Sequence, residues 1–276
     1  KTGQTRASAT VHPLSLMILI RIIQGNTMKK LLASAIIAAT PVMAQADLLF
    51  TVDAGASVWN AEISGEVDDD IDVGNDGLNL DSEKNNVFFV SFEHSVPVLP
   101  NFKIKKTDLD FTGTGTANYV FLDQPFVGQT DTQVDLSHTD LTLYWGVPLP
   151  IPFFDINFGL TARQFDGVIL VTDKTSGTTE KEDLNFTMPM GYLNVDFDSH
   201  FGVYARAELN AMSYDGNGVT DTEFAIGYTL PVPVVDINLE VGHRAFNVTT
   251  DEDSIDIETD VEMSGVFAGL SLSVGL

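Results

Sequence analysis

From residue 47 onward the apolar residues recur at every second position instead of with helical spacing. Phe154, Ile156, Phe158, Leu160 and Ala162 alternate with Asp155, Asn157, Gly159, Thr161 and Arg163. Val235, Ile237, Leu239 and Val241 alternate with Asp236, Asn238, Glu240 and Gly242. Phe201, Val203, Ala205, Ala207, Leu209 and Ala211 alternate with Gly202, Tyr204, Arg206, Glu208 and Asn210. A strand sends successive side chains to opposite faces, so each run has one apolar and one polar face. A soluble sandwich alternates too. Run length separates the two readings: several runs reach about ten residues, the length a tilted strand needs to cross the hydrocarbon layer.

The connections alternate in length. The short ones often carry proline: Pro97 to Pro100, Pro148 to Pro152, Asp196 to Ser199, and Pro231 to Pro233. The others are mostly longer, polar and acidic: 66–86, 113–134, 165–183, 214–220 and 248–259. Short turns at one end and long loops at the other characterise a transmembrane antiparallel up-and-down β-barrel of the bacterial outer membrane. Ten strands are predicted, over 48–64, 87–96, 101–112, 135–147, 153–164, 184–195, 200–212, 221–230, 234–246 and 260–276. Eight is the alternative, because Pro189 interrupts the sixth. An even count leaves both termini on the periplasmic side. In the closing strand Val266, Ala268, Leu270, Leu272, Val274 and Leu276 form one apolar face, opposite Gly269, Ser271, Ser273 and Gly275. Such a strand offers itself to the barrel-assembly machinery, although Leu276 stands where a terminal aromatic is usual.

The start of the chain reads differently. Met28-Lys29-Lys30, the apolar run Leu31 to Val42 and Ala44-Gln45-Ala46 follow the three-part grammar of a secretory signal peptide. Its apolar core is too short to span a bilayer as a helix. Residues 1–27 are read as an upstream extension, 28–46 as the signal peptide and 47–276 as the mature barrel. No later stretch has 18 consecutive apolar residues, so no transmembrane helix is expected.

Charge and cysteine narrow the function classes. Five of the 14 basic residues (Lys1, Arg6, Arg21, Lys29 and Lys30) precede the cleavage site, leaving nine against 39 acidic ones, a net charge of −30. A surface so poor in Lys and Arg excludes nucleic acid as a partner. Cysteine is absent, which removes disulfides, thiolate metal sites and Cys nucleophiles.

With Glu93-His94-Ser95-Val96-Pro97-Val98-Leu99-Pro100-Asn101, the signal peptide and the closing strand in view, the chain resembles a family of uncharacterised outer-membrane β-barrel proteins of Gram-negative bacteria. The resemblance covers 47–276. It implies the barrel fold, the outer membrane, and outer-membrane lipid and lipopolysaccharide as surroundings. The shared motif is a turn signature, so it implies no catalytic residue and no cofactor.

Candidate chemistry is sparse. Leu149-Pro150-Ile151-Pro152-Phe153-Phe154-Asp155-Ile156-Asn157 matches Leu230-Pro231-Val232-Pro233-Val234-Val235-Asp236-Ile237-Asn238 at an offset of 81 residues, and the match continues to Arg163 and Arg244. Duplication of a hairpin explains it structurally, and two related lumen walls explain it functionally. Arg163, Arg206, Arg244, Asp155, Asp236, Glu208 and Glu240 fall on polar, inward faces. They are expected to line the lumen, each arginine with a carboxylate such as Glu208 or Glu240. The lumen is either filled by such pairs or a narrow path that tolerates cations. Asp72-x-Gly74-x-Asp76-Gly77-x5-Glu83 has the spacing of a calcium loop, but Gly74 replaces a ligand and no helices flank it. Weak binding of divalent cations by the acidic loops, Asp251-Glu252-Asp253 included, is the broader expectation. Ser137 and His138 are adjacent in a strand and face opposite ways, so with Asp140 they form no direct nucleophile–base pair; His94, His200 and His243 are scattered. The sequence therefore reads as a non-enzymatic barrel of structural or passive-pore type. Surface binding or adhesion through long acidic loops is the alternative, and a membrane-embedded hydrolase or acyltransferase ranks third.

Overall fold

The computed structural model describes residues 50–275 apart from 68–70, 75–76, 83–84, 97, 123, 149–150, 200 and 251–258. The upstream extension, the signal peptide, His200, Asp76, Glu83 and the Asp251–Asp253 cluster lie outside the described residues. Fifteen strands and no helix occur among the described residues. Ten positions close into an antiparallel ring. Its members are β1 (Phe50–Trp59), β5 (Asn85–His94), β6 (Asn101–Thr107), β9 (His138–Gly146), β10 (Phe154–Asp173), β11 (Thr179–Asp198), β12 (Val203–Tyr214), β13 (Asn217–Val232), β14 (Val235–Thr250) and β15 (Thr259–Gly275). The seam is β1 on β15, in register from Thr51↔Gly275 to Trp59↔Phe267. The ten predicted strands are all present, and the ring is closed.

The remaining strands extend the wall. β2 (Glu62–Val67) prolongs β1 along β15 and folds back through the two-residue β3 (Ile71–Asp72). The hairpin β7 (Asp110–Phe121) and β8 (Gln124–Asp135) continues β6 and β9, with β8 on β10 and the short β4 (Asp81–Ser82) on β7. The expected loops 113–134, 165–183 and 214–220 are therefore largely strand: β10 and β11 pair to Thr172↔Thr179, and β12 and β13 are joined at Asp215-Gly216. Pro189 is also accommodated. The β11–β12 ladder stops at Gly191↔Ala211, so at Pro189 one side of β11 has no ladder to satisfy.

Strand length shows where the membrane ends. β10 and β11 have 20 residues each. At about 3.3 Å per residue and a tilt of roughly 40°, each rises about 50 Å, twice the ~25 Å apolar band of an outer-membrane barrel. The faces change accordingly. Along β11, Leu193 and Val195 face outward with Asn194 and Asp196 inside. Farther out, Asp183, Asn185 and Thr187 face outward, while Leu184, Phe186, Met188 and Met190 are buried inside. On β15, Val266, Ala268 and Leu270 face outward, then Glu262 and Asp260, with Met263 and Val261 buried behind them. Apolar-out, polar-in becomes polar-out, apolar-in: the first suits lipid and the second suits water. The extracellular half is thus a water-facing tower with its own apolar core.

At the opposite, periplasmic rim an aromatic belt marks the interface. Phe50, Phe92 and Phe102 stack at centroid distances of 5.9 and 5.5 Å, and Phe154 meets Phe197 at 5.1 Å. The two repeat copies turn there with the same backbone: Phe153 (φ 74°) and Val234 (φ 79°), 81 residues apart, each follow a proline, the pattern of a type II turn. Inside the barrel three glycines lie beneath aromatic rings on the neighbouring strand: Gly55 under Phe89, Gly227 under Tyr204 and Gly242 under Phe267. A Cβ on Gly242 would stand 2.5 Å from the Phe267 ring and 2.2 Å from the Phe224 carbonyl.

Candidate functional site

The waist of the lumen is filled by charge. Five basic residues point inward: Lys103 and Lys105 from β6, Arg163 from β10, Arg206 from β12 and Arg244 from β14. These are five of the nine basic residues after position 46 and include every arginine there. Arg163 donates Nε and Nη2 to the two Asp140 oxygens, both at 2.8 Å, and Nη2 also to Asp221 at 2.6 Å. Arg244 donates Nε and Nη2 to Asp221 at 2.9 and 2.7 Å. Its Nη1 reaches Thr107 at 3.1 Å, and its guanidinium lies 4.6 Å from the Trp59 ring centroid. Lys105 donates to Glu208 at 2.6 Å and Glu223 at 3.4 Å; Lys103 donates to Glu208 at 2.6 Å. Arg206 bonds Glu223 at 2.7 Å and Glu240 at 3.0 Å. β6 and β13 stand diametrically opposite in the ring, so the Lys105–Glu223 pair crosses the full lumen.

Every carboxylate in this set serves a cation, as buried charge requires. Five cations meet five anions: Asp140, Asp221, Glu208, Glu223 and Glu240. The expected partners of two arginines need correction. Glu208 is taken by the two lysines and Glu240 by Arg206, so Arg163 and Arg244 use Asp140 and Asp221. Asp155 and Asp236 are on the inward phase but exposed at the periplasmic end, and neither makes an ion pair among the described residues. Lys103, Lys105, Asp140, Asp221 and Glu223 were not singled out by sequence. A signal for two of them existed: Asp140 and Asp221 lie 23 residues before Arg163 and Arg244, so the 81-residue repeat extends backward across both hairpins. It extends forward as well, to Phe165 and Phe246. These rings flank His138 at 5.4 and 5.9 Å.

The arrangement limits other chemistry at the waist. The His138 Nδ1–H donates to the Leu136 carbonyl at 2.8 Å, and Nε2 faces Arg244 Nη2 at 3.5 Å. Ser137 turns away and accepts the Leu109 N–H at 3.1 Å. His138, Asp140 and Asp221 are the one group among the described residues with potential metal-ligand atoms within 4.8 Å of one another. Arg163 and Arg244 already hold those carboxylates, so guanidinium groups stand where a metal ion would need to bind. In the acidic loop, Asp72 Oδ1 accepts the Gly74 N–H at 2.6 Å, the bond of a turn.

Above the waist lies a second feature. An apolar chamber of about 280 Å³ occupies the tower, with Phe165 and Phe246 at its polar boundary and Leu184, Phe186, Val219 and Val261 among its walls. Ile71, Val73, Leu78 and Leu80, from the loop read in the sequence as polar and acidic, fold inward to complete it. Among the described residues Glu182 is the one ionisable wall residue besides Tyr119, and burial, with the Asp183 charge beside it, pushes its carboxyl above the ordinary value.

A closed ten-stranded ring, a lipid-facing apolar band and a polar interior define a β-barrel of the Gram-negative outer membrane. No protein-family model matches the sequence, and no curated protein matches it. Among solved structures the chain is similar to the outer-membrane protease OmpT from Escherichia coli, at 8% identity and a TM-score of 0.43 over 84% of this chain and 98% of that one. It is similar to the monoaromatic hydrocarbon channel CymD at 8% identity and a TM-score of 0.32, over 84% and 90%. The toluene transporter TodX of P. putida matches at 10% identity and a TM-score of 0.24, over 82% and 90%. Likeness at this level does not choose among the activities of these proteins.

Proposed function

We propose that this is an outer-membrane barrel of the plugged, structural kind, in which the membrane span is a support and the tower is the working part. One observation carries the reading: the ion pairs at the waist join opposite walls of the lumen, Lys105 to Glu208 and Glu223 above all. A permeating cation would have to displace a lysine or arginine from a buried carboxylate. The passive, cation-tolerant pore is therefore the weaker reading of the same residues. The purified protein in a planar bilayer is expected to give no steady single-channel steps in 1 M KCl. Reproducible ohmic steps from the unaltered protein would contradict the plug.

Surface binding is favoured by a separate observation, the apolar chamber in the tower. Wall strands that continue past the membrane only to enclose such a space have no use in a passive support.

A further inference from the structure

We infer that the tower chamber is a binding site for an uncharged, apolar small molecule. The proposal rests on the reading of the tower as the working part, but not on the plug being tight.

Protein interiors are packed with few voids larger than a water molecule. Apolar cavities of about 150 Å³ stay dry and admit molecules the size of benzene. The chamber measures about 280 Å³, near the roughly 300 Å³ at which small-molecule pockets begin. It therefore suits one compact ligand.

Leu184, Phe186, Met188, Val219, Phe246 and Val261 present alkyl, aryl and thioether surface drawn from four strands of the wall. No arginine or lysine is among the described lining residues, so a carboxylate or phosphate would find no cationic partner there. Glu182 in the wall and Glu66, Asp131, Asp183, Asp260 and Glu262 on the tower oppose anions further. The two tower lysines that are described, Lys174 and Lys181, are already paired with Asp131 and Asp183. A neutral ligand loses nothing to this field.

The chamber is roofed from one side by Val73, Leu78 and Leu80, all buried, within a segment otherwise dominated by aspartate. Gly113 and Gly115 on β7 let that segment pack closely: a Cβ on either would meet its backbone carbonyls at 2.3 Å. An acidic loop that served only to face water would not be seated this way.

The test uses the full mature protein in lipid nanodiscs and the neutral fluorescent probe N-phenyl-1-naphthylamine, with a barrel variant altered on its lipid face, Leu230→Trp, as the partition control. Saturable enhancement at one probe per barrel is expected for the unaltered protein and for the control. Val219→Trp and, separately, Val261→Trp fill the chamber and should weaken binding at least tenfold while the folded band on unheated gels persists. If one of them fails to fold, the other decides. Hexadecane-series alkanes and alkylbenzenes should displace the probe, their relative strength telling aliphatic from aromatic preference, and dodecanoate should displace it at least tenfold less well. Non-saturable uptake equal to that of empty nanodiscs, unchanged affinity in a folded filled variant, or dodecanoate competing as well as a neutral ligand would each overturn the proposal. Conductance measured on the same preparation keeps the two readings apart: a conducting protein that still binds the probe refutes the plug alone, and a silent protein with no saturable binding refutes the chamber alone.

Discussion

Replacing Asp221 with alanine lowers the stability of the folded barrel by about 3–5 kcal/mol, the cost of stranding buried charge. The effect is large because Asp221 is shared. It accepts from Arg163 at 2.6 Å and from Arg244 at 2.9 and 2.7 Å, and the side chains of all three are 2% exposed or less. Removal leaves Arg244 with Thr107, His138 and the Trp59 ring, and Arg163 with Asp140 and the Phe246 ring. Urea titration of the refolded protein, followed by the fraction that keeps its folded gel mobility, reads the change. Lys106→Ala is the matched control. That residue pairs with Asp108 at 3.5 Å with its side chain 61% exposed, and such pairs are worth about 1 kcal/mol or less. An Asp221→Ala barrel no weaker than the Lys106→Ala barrel would mean that the waist is wet and the ion pairs are screened.

Leu239→Arg is expected to cost about 2–4 kcal/mol, the range for arginine on the lipid face near the bilayer midplane. Leu239 sits at the centre of the outward apolar series Val235, Ile237, Leu239 and Val241, with outward Tyr228 and Leu270 as its cross-strand neighbours. The contrast is Thr249→Arg, on the same face of the same strand but ten residues nearer the tip, beside Asp260. There water replaces lipid, and a change within about 0.5 kcal/mol is expected for an exposed substitution. The same urea titration checks both. Equal penalties at the two positions would mean that the membrane boundary has been drawn in the wrong place.

The parts of the fold that were legible in the sequence are those where one polarity rule holds. Within the membrane, Phe158, Leu160 and Ala162 face lipid with Thr161 and Arg163 inside, and period-two reading finds the strand and its facing at once. Past the membrane the period survives but the sign reverses. The apolar residues of β10 change from even to odd positions between Ala162 and Phe165, and those of β11 from odd to even between Leu193 and Met190. Apolar-out alternation ends at that reversal, so by sequence the tower reads as loops. The hairpin β7–β8 is hidden further by composition: its outer face carries Thr112, Thr114, Thr116 and Gln129, polar residues that give no apolar-out signal, while Phe111, Tyr119 and Phe126 carry its buried face. The three arginines were assigned inward from their phase alone. Their partners could not be assigned that way, because partner choice depends on which of several inward carboxylates stand nearby across the lumen. Asp221 is three places around the ring from Arg163, and no local pattern encodes that distance.

The reversal of faces at the membrane surface is the claim on which the tower, the plug and the chamber all depend. Because the chain has no cysteine, a single-cysteine scan along β11 tests it with no background. Spin labels are placed one at a time from residue 183 to residue 195 in the nanodisc-embedded protein, and collision rates with oxygen and with a water-soluble nickel chelate are compared. Oxygen-rich, nickel-poor environments are expected at Leu193 and Val195, a switch between Pro189 and Thr187, and nickel-rich environments at Thr187, Asn185 and Asp183, with the intervening positions protected from the chelate throughout. A uniform lipid signature at all the outward positions, or nickel access at Phe186 and Met188 equal to that at Thr187, would contradict it.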